Sequence, residues 1–514
     1  MTSMQSIASY IANNFTLQLL LIGGLLVAYP FGSIVYNIYF HPLSKFPGPK
    51  SWAATYVPYI KALLNSNLVG AFSDMHRKYG DIVRVGPNEI SFATEEAWRE
   101  IYGYRPGHKE AIKDSTWYLA PAGAPQNVLT STDPVVRARM RKCLSHSLNE
   151  SALNDQSAII ERYADVLISQ LRDRASRREP MPDGALINMT DWIIFFTFDV
   201  IGDLAFGETF RCLETSDYHP WVTTSFSFLK GMTFAGASRL YPRIGSFAER
   251  FLIPPSIMRL QRQYVDFAAE RVNRRLNLET SRPDFMTPFL KNNSDFKHMS
   301  RGEIESTFTV LIIAGSETTA TVLCGTLNYL AKETDKLELL ERAVRKQFQS
   351  EEEISMATTK DIPYLNLVVD EGLRLCLPIA GGLPRVVPAG GETYVGHYFP
   401  GGTRISIRPA LLHMSARYIE SPHEFHPERW LPLDQRPPQF ANDNHAAVKP
   451  FSTGPTGCAG KMLALAELRL ILARLVWAFD ISLDPNRVLD WTKLKTMFVV
   501  EKEPMFLRLK MRSV

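Results

Sequence analysis

A single cysteine set among glycines constrains this chain more than any other feature. The stretch FSTGPTGCAG runs from Phe451 to Gly460 and holds Cys458 together with Gly454, Gly457 and Gly460. Glycine lets a backbone take φ > 0 and come close to another group, so something flat can approach this sulfur. An apolar helical pattern, KMLALAELRLILARLVWAF, follows at once. A thiolate just ahead of a helix N-terminus meets free N–H groups and the positive end of the helix dipole, which is expected to lower its pKa. That environment suits an anionic metal ligand. Cys458 has no cysteine neighbour and no C-x-x-C partner, which argues against zinc and iron–sulfur centres. One thiolate holding one iron points to haem. The alternative is an inert cysteine buried beside a turn, the commonest state of a free thiol.

At these residues the chain resembles the cytochrome P450 monooxygenases, whose haem-ligand signature is Phe-x-x-Gly-x-Arg-x-Cys-x-Gly. Phe451, Gly454, Cys458 and Gly460 match it, while Thr456 stands where the family has arginine. The resemblance implies that Cys458 is the axial ligand of haem b, iron protoporphyrin IX.

The second informative stretch is Ser300 to Lys332. Ser300 and Glu303 form a capping box that opens a long helix. Between Glu305 and Lys332 the one charged residue is Glu317, inside AGSETT (Ala314 to Thr319). A lone carboxylate in such a run is costly to bury unless it is compensated or used. Gly315 is expected to leave room for a small ligand beside the helix, and Thr318 to back-bond to a carbonyl. A second membrane span is the competing reading, but six threonines and a central glutamate argue against lipid contact. The stretch is similar to the oxygen-activation motif of the named family, which implies that Glu317 and Thr318 relay protons.

Three further matches follow in family order. Asp133 is a plausible N-cap, with Pro134 at the first helical position, for a helix carrying Arg137 and Arg141 on one face. Arg141 resembles the propionate-binding arginine of the family, and Arg137 stands where relatives place an aromatic or histidine. Arg137 is expected to supply the charge that Thr456 lacks, with Lys449 a second possibility. Glu371 and Arg374 resemble the Glu-x-x-Arg pair, and Arg429, in FHPERW (Phe425 to Trp430), its partner. These three imply a structural network beneath the haem, and Arg385 another arginine for a propionate.

Five cysteines in 514 residues show no disulfide spacing, and a net charge of +4 is too small to suggest a nucleic-acid partner, with no basic run to support one. No linker, repeat or low-complexity tract divides the chain. Residues 1–40 contain no Asp, Glu, Lys or Arg, and the apolar part at about 15–40 is long enough to cross ~30 Å of hydrocarbon. Lysines follow it, so the body is expected to face the cytosol. The organisation read from this is a membrane anchor at 1–45 and a catalytic body at 46–514. Asn188 to Phe210 reads as a buried core helix, Asp81 to Phe92 as two strands joined by a Gly-Pro turn, and Gly103 to Thr130 as a long loop. The resemblance implies that the aromatic segment Trp221 to Tyr241 is a lid over the channel, and an ordinary core or surface helix is the other reading.

The resemblance implies a mainly α haem-thiolate fold with a minor β region, preceded by one transmembrane helix in the endoplasmic reticulum. It implies a monooxygenase that inserts one atom of O2 into a hydrophobic small molecule such as a terpenoid, polyketide or alkaloid. No nicotinamide or flavin fingerprint is present, so electrons from NADPH must come through a separate flavoprotein reductase, docked near Arg139, Lys142 and Lys461. The rival readings are an isomerase or dehydratase on the same fold, which needs no proton relay, and a non-catalytic haem-binding membrane protein.

Overall fold

The strongest helix signals become helices with the caps that the sequence supplies. The computed structural model describes residues 18, 24, 28–118, 120, 124–177, 184–242, 245, 255–278, 280–293 and 295–512. Helix α1, Pro134–Leu148, is capped by Asp133, whose side chain accepts from Val135 N at 2.7 Å and Val136 N at 3.3 Å. Its neighbours are α2, Glu150–Arg177, and α3, Met189–Phe206. Helix α3 is buried along nearly its whole length, as its unbroken apolar composition requires. Then come α4, Pro220–Arg239, and α5, Pro255–Leu276. The central helix α6, Arg301–Lys332, opens on the complete Ser300–Glu303 capping box. Helix α7, Pro363–Leu375, begins with proline, where the missing N–H loses nothing. Helix α8, Lys461–Ala478, follows the cysteine loop. One hydrophobic core joins α2, α3, α6, α7 and α8.

The β region is small and lies to one side. Strands β1 (Ile82–Gly86), β2 (Glu89–Phe92) and β3 (Ile112–Lys113) precede β4 (Ala185–Asn188), β5 (Arg385–Val386), β6 (Glu392–Tyr394), β7 (His397–Phe399), β8 (Arg404–Ile407), β9 (Phe479–Leu483) and β10 (Phe506–Met511). The larger sheet has the order β1-β2-β8-β5-β3, with only the β2–β8 pair parallel. Strand β3 interrupts the loop expected at Gly103 to Thr130. It is a two-residue edge too short to read from sequence, and it sets Lys113 opposite Arg385. A second sheet, β4-β10-β9, ties the chain end to the start of α3.

Among the described residues, α6 is the one helix long and apolar enough to cross a membrane, and 72% of its most apolar window is buried in the protein. It is a core helix. The anchor expected at 15–40 falls largely outside the described residues. The described part ends in a π turn at Tyr36–Phe40, and Tyr29, Phe31, Tyr36, Tyr39 and Phe40 are exposed.

Candidate functional site

The cysteine loop closes on itself through Cys458 N, which donates to Phe451 O at 2.9 Å. Gly454 has φ +68°, and a Cβ there would collide with the Tyr102 carbonyl oxygen, so the turn admits only glycine. Gly460 is the N-cap of α8 and has open space around its Cα. Cys458 is the one exposed cysteine; Cys143, Cys212, Cys324 and Cys376 are buried. Its thiol corrects the expectation of a lowered pKa. Burial pushes it up, and the Gly460 N–H, Arg141 and Lys461 only partly offset that. The sulfur is accessible yet desolvated, and a coordinated metal is what would deprotonate it.

A cluster of cations stands beside this loop. Arg141 Nη1 donates to Gly457 O at 2.6 Å, which ties α1 to the loop. Arg385 Nη2 donates to Thr456 Oγ1 at 2.9 Å and Nη1 to Tyr118 Oη at 2.9 Å. The Arg385 guanidinium also lies 4.8 Å from the Tyr102 ring centroid. Arg137 is buried on α1, but Glu110 grips its Nη2 at 2.6 and 2.8 Å. Its charge is therefore already matched, while its Nη1 is buried with no hydrogen-bond partner among the described residues. Lys113 is the member that the sequence did not reveal. Its Nζ donates to Leu129 O at 2.6 Å and Val128 O at 3.2 Å. Burial, then repulsion from Arg385, Arg137 and Arg141, brings its pKa down to about 7.

The middle of α6 presents Ala314 as exposed and Thr318 as half-exposed in a helix that is otherwise mostly buried. Thr318 Oγ1 donates to Ala314 O at 2.6 Å, the expected back-bond. Gly315 does not make room for a ligand. A Cβ there would stand 2.6 Å from Ile201 Cδ1 of α3, so this glycine permits close helix packing instead. Glu317 turns away to meet Lys502, with Nζ to Oε2 at 2.6 Å and both side chains 4% exposed. One indirect signal of this pair is legible in the sequence: a single acid in an uncharged helix demands a cation from elsewhere.

The proposed structural network is assembled in full. Glu371 accepts from Arg374 Nε at 2.9 Å and Nη2 at 2.7 Å, from Arg429 Nε at 3.1 Å and from Trp430 Nε1 at 2.9 Å. All three charged side chains are completely buried. Burial alone would raise the Glu371 pKa, but the arginine hydrogen bonds and charges more than reverse it. Asp443, unnoticed in the sequence, takes the remaining charge of Arg429. On the reductase-docking face expected from sequence, Arg139 is already engaged, with Nη2 donating to Glu303 Oε1 at 2.7 Å.

These residues fit haem b. The donor set offers one accessible thiol. The cation cluster holds Lys113, Arg137, Arg141 and Arg385 with Glu110 in close contact, and it leaves an orphaned guanidinium nitrogen. An excess of buried cations is unfavourable unless an anion completes it, and two propionates would do so.

The family model described as cytochrome P450 matches residues 47–509. The cytochrome P450 monooxygenase astJ of Aspergillus oryzae is 40% identical over 489 residues, covering 95% of this chain and 96% of that protein. The cytochrome P450 monooxygenase lcsI of Purpureocillium lilacinum is 37% identical, covering 93% and 91%. The trichothecene C-15 hydroxylase of Fusarium sporotrichioides is 36% identical, covering 95% and 96%. A family match over nearly the whole chain, joined by monooxygenases of this similarity, makes the protein a member of the cytochrome P450 family and a monooxygenase.

Proposed function

We propose that this protein inserts one oxygen atom from O2 into an apolar small molecule in a fungal secondary-metabolite pathway, by hydroxylation, epoxidation or a related oxidation. The observation that carries this reading is that the same fold leaves both the Cys458 residue and the Thr318 hydroxyl accessible. A relative named for C-15 hydroxylation of trichothecenes supports a terpenoid-like substrate, with polyketides and alkaloids as the other candidates. When bound, haem supplies oxygen activation and substrate oxidation. Cys458 would hold its iron, Arg141 and Arg385 would hold its propionates, and Arg137, its charge already met by Glu110, would add a donor through Nη1. Phe451, Gly454 and Gly460 would shape the approach to the sulfur. The Glu371–Arg374–Arg429 network holds the backbone around Glu420 and Glu424 rigid.

Thr318 Oγ1 is the atom from which a proton would be delivered, and Glu317 is the carboxylate that would resupply it. The intact Glu317–Thr318 pair favours oxygen activation over a peroxide-dependent isomerase or dehydratase. Electrons would come from NADPH through a flavoprotein reductase. The chain would sit on the endoplasmic reticulum membrane through an anchor at 1–45, with the body at 46–514 facing the cytosol. Deleting residues 1–40 should release the protein from membranes and leave its haem spectrum intact; loss of the spectrum would overturn the anchor. Metabolite profiles of the producing cell with and without the gene test the function. Accumulation of a precursor that differs from the missing product by oxidation is expected. Unchanged profiles, or turnover without NADPH and O2, would overturn the reading.

A further inference from the structure

The ion pair between Glu317 and Lys502 does more than neutralise a buried acid. Lys502 occupies only one carboxylate oxygen, Oε2, at 2.6 Å. Glu317 Oε1 is buried and has no hydrogen-bond partner among the described residues. An unpaired carboxylate oxygen in a dry core is strongly disfavoured, so this position calls for water. Space for it exists. A cavity of about 260 Å³ lies beside it, mostly apolar at Phe226, Leu229 and Phe498, with its polar side formed by Glu317, Glu501 and Lys502. A single water needs only roughly 10–15 Å³ by the same measure.

The lysine is also held on its other side. Lys502 Nζ reaches Thr321 Oγ1 at 3.4 Å, one turn beyond Glu317 on α6. The residue before it, Glu501, pairs with Lys230 of α4 at 2.5 Å, and both side chains are partly exposed. Two successive residues of one segment therefore span the cavity, from the solvent rim at α4 to the acid on α6. The Lys230–Glu501 contact is the outer closure, and the Lys502–Glu317 contact is the inner one.

We infer that Lys502 is the positioning residue for Glu317, holding Oε2 so that Oε1 faces water that enters through this cavity. That water gives one proton to Oε1 and takes another from the solvent behind it, so no hydroxide accumulates, and Oε1 passes its proton on towards Thr318. This inference rests on the proposed relay role of Glu317, and adds to it the residue that aims the acid and the route by which its protons arrive.

The test uses full-length, haem-loaded enzyme with saturating reductase, following substrate-free NADPH consumption in H2O and D2O. Lys502→Met should slow consumption at least five-fold and raise the solvent isotope effect at least two-fold, with the reduced carbon monoxide-bound band intact. Lys502→Arg, which keeps the charge and the donor, should stay within two-fold of the parent. Glu317→Gln is measured in parallel. If Glu317→Gln changes neither quantity, the relay reading itself fails. If Glu317→Gln slows turnover and Lys502→Met does not, the relay stands and the role of Lys502 is overturned. Should Lys502→Met lose its haem band, Lys502→Gln, which still donates a hydrogen bond without charge, is read by the same criteria.

Discussion

Arg385 donates through Nη2 to Thr456 Oγ1 at 2.9 Å, across 71 residues of sequence. Thr456 is the one departure from the haem-ligand signature. In place of the signature's arginine, this chain has a neutral acceptor for the Arg385 guanidinium. Lys113 lies opposite Arg385 in the β3–β5 register, while Arg137 is clamped by Glu110.

That arrangement predicts a pH dependence. The ordinary lysine value is 10.5, and burial with three nearby arginines brings Lys113 down to about 7. Between those values the unfolded chain holds more protons than the haem-free fold, so stability of the haem-free fold rises with pH across that window. An anion bound beside Lys113 draws a proton back onto it. Haem affinity should therefore fall as pH rises from about 7 to about 10, and Lys113→Met should flatten the slope. Titration of haem-free protein with haem at fixed ionic strength measures both. A slope unchanged by the substitution would remove Lys113 from the site.

Arg137→Ala tests whether a clamped arginine still contributes. Glu110 already takes its charge, so haem dissociation should quicken by less than five-fold. The loss should be smaller still in a Thr456→Arg background. Equal losses in both backgrounds would rule out any compensation between the two positions.

Cys458→Ala should abolish the thiolate-type absorption band of the reduced, carbon monoxide-bound protein. The other four cysteines are buried and unable to substitute. A variant that retained the band would sink the ligand assignment.

Thr318→Ala should leave haem binding nearly unchanged and divert electrons to hydrogen peroxide. The hydroxyl makes one local bond, to Ala314 O, so its loss disturbs proton supply more than packing. The measurement is peroxide formed per NADPH consumed. Unaltered partitioning would return Thr318 to a helix-packing role.

Glu371→Gln should be far more damaging to the fold than any surface change. It leaves the buried guanidinium of Arg374 without its charge partner, and breaking such a pair costs about 3–5 kcal/mol. Little haem-loaded protein should accumulate, and thermal unfolding of what remains should begin well below the parent. Normal yield and melting would show that Asp443 alone suffices.

Several features were legible in the sequence because they depend on neighbours in the chain. The Asp133 cap, the Ser300–Glu303 box, the buried helix after Asn188 and the glycine turn before Cys458 each follow from local spacing. Glu371 and Arg374 pair at i, i+3 by helix geometry alone. What only the tertiary structure decided concerns partners distant in sequence. Lys502 reaches Glu317 across 185 residues, and Arg429 adds Asp443 to its network. Gly315 meets Ile201 of α3 rather than a ligand, because helix-to-helix distance is not written in either helix. The thiol pKa moved the opposite way from the local expectation for the same reason. The helix start is a local property and lowers it, but burial is a property of the whole fold, and here burial is the larger effect.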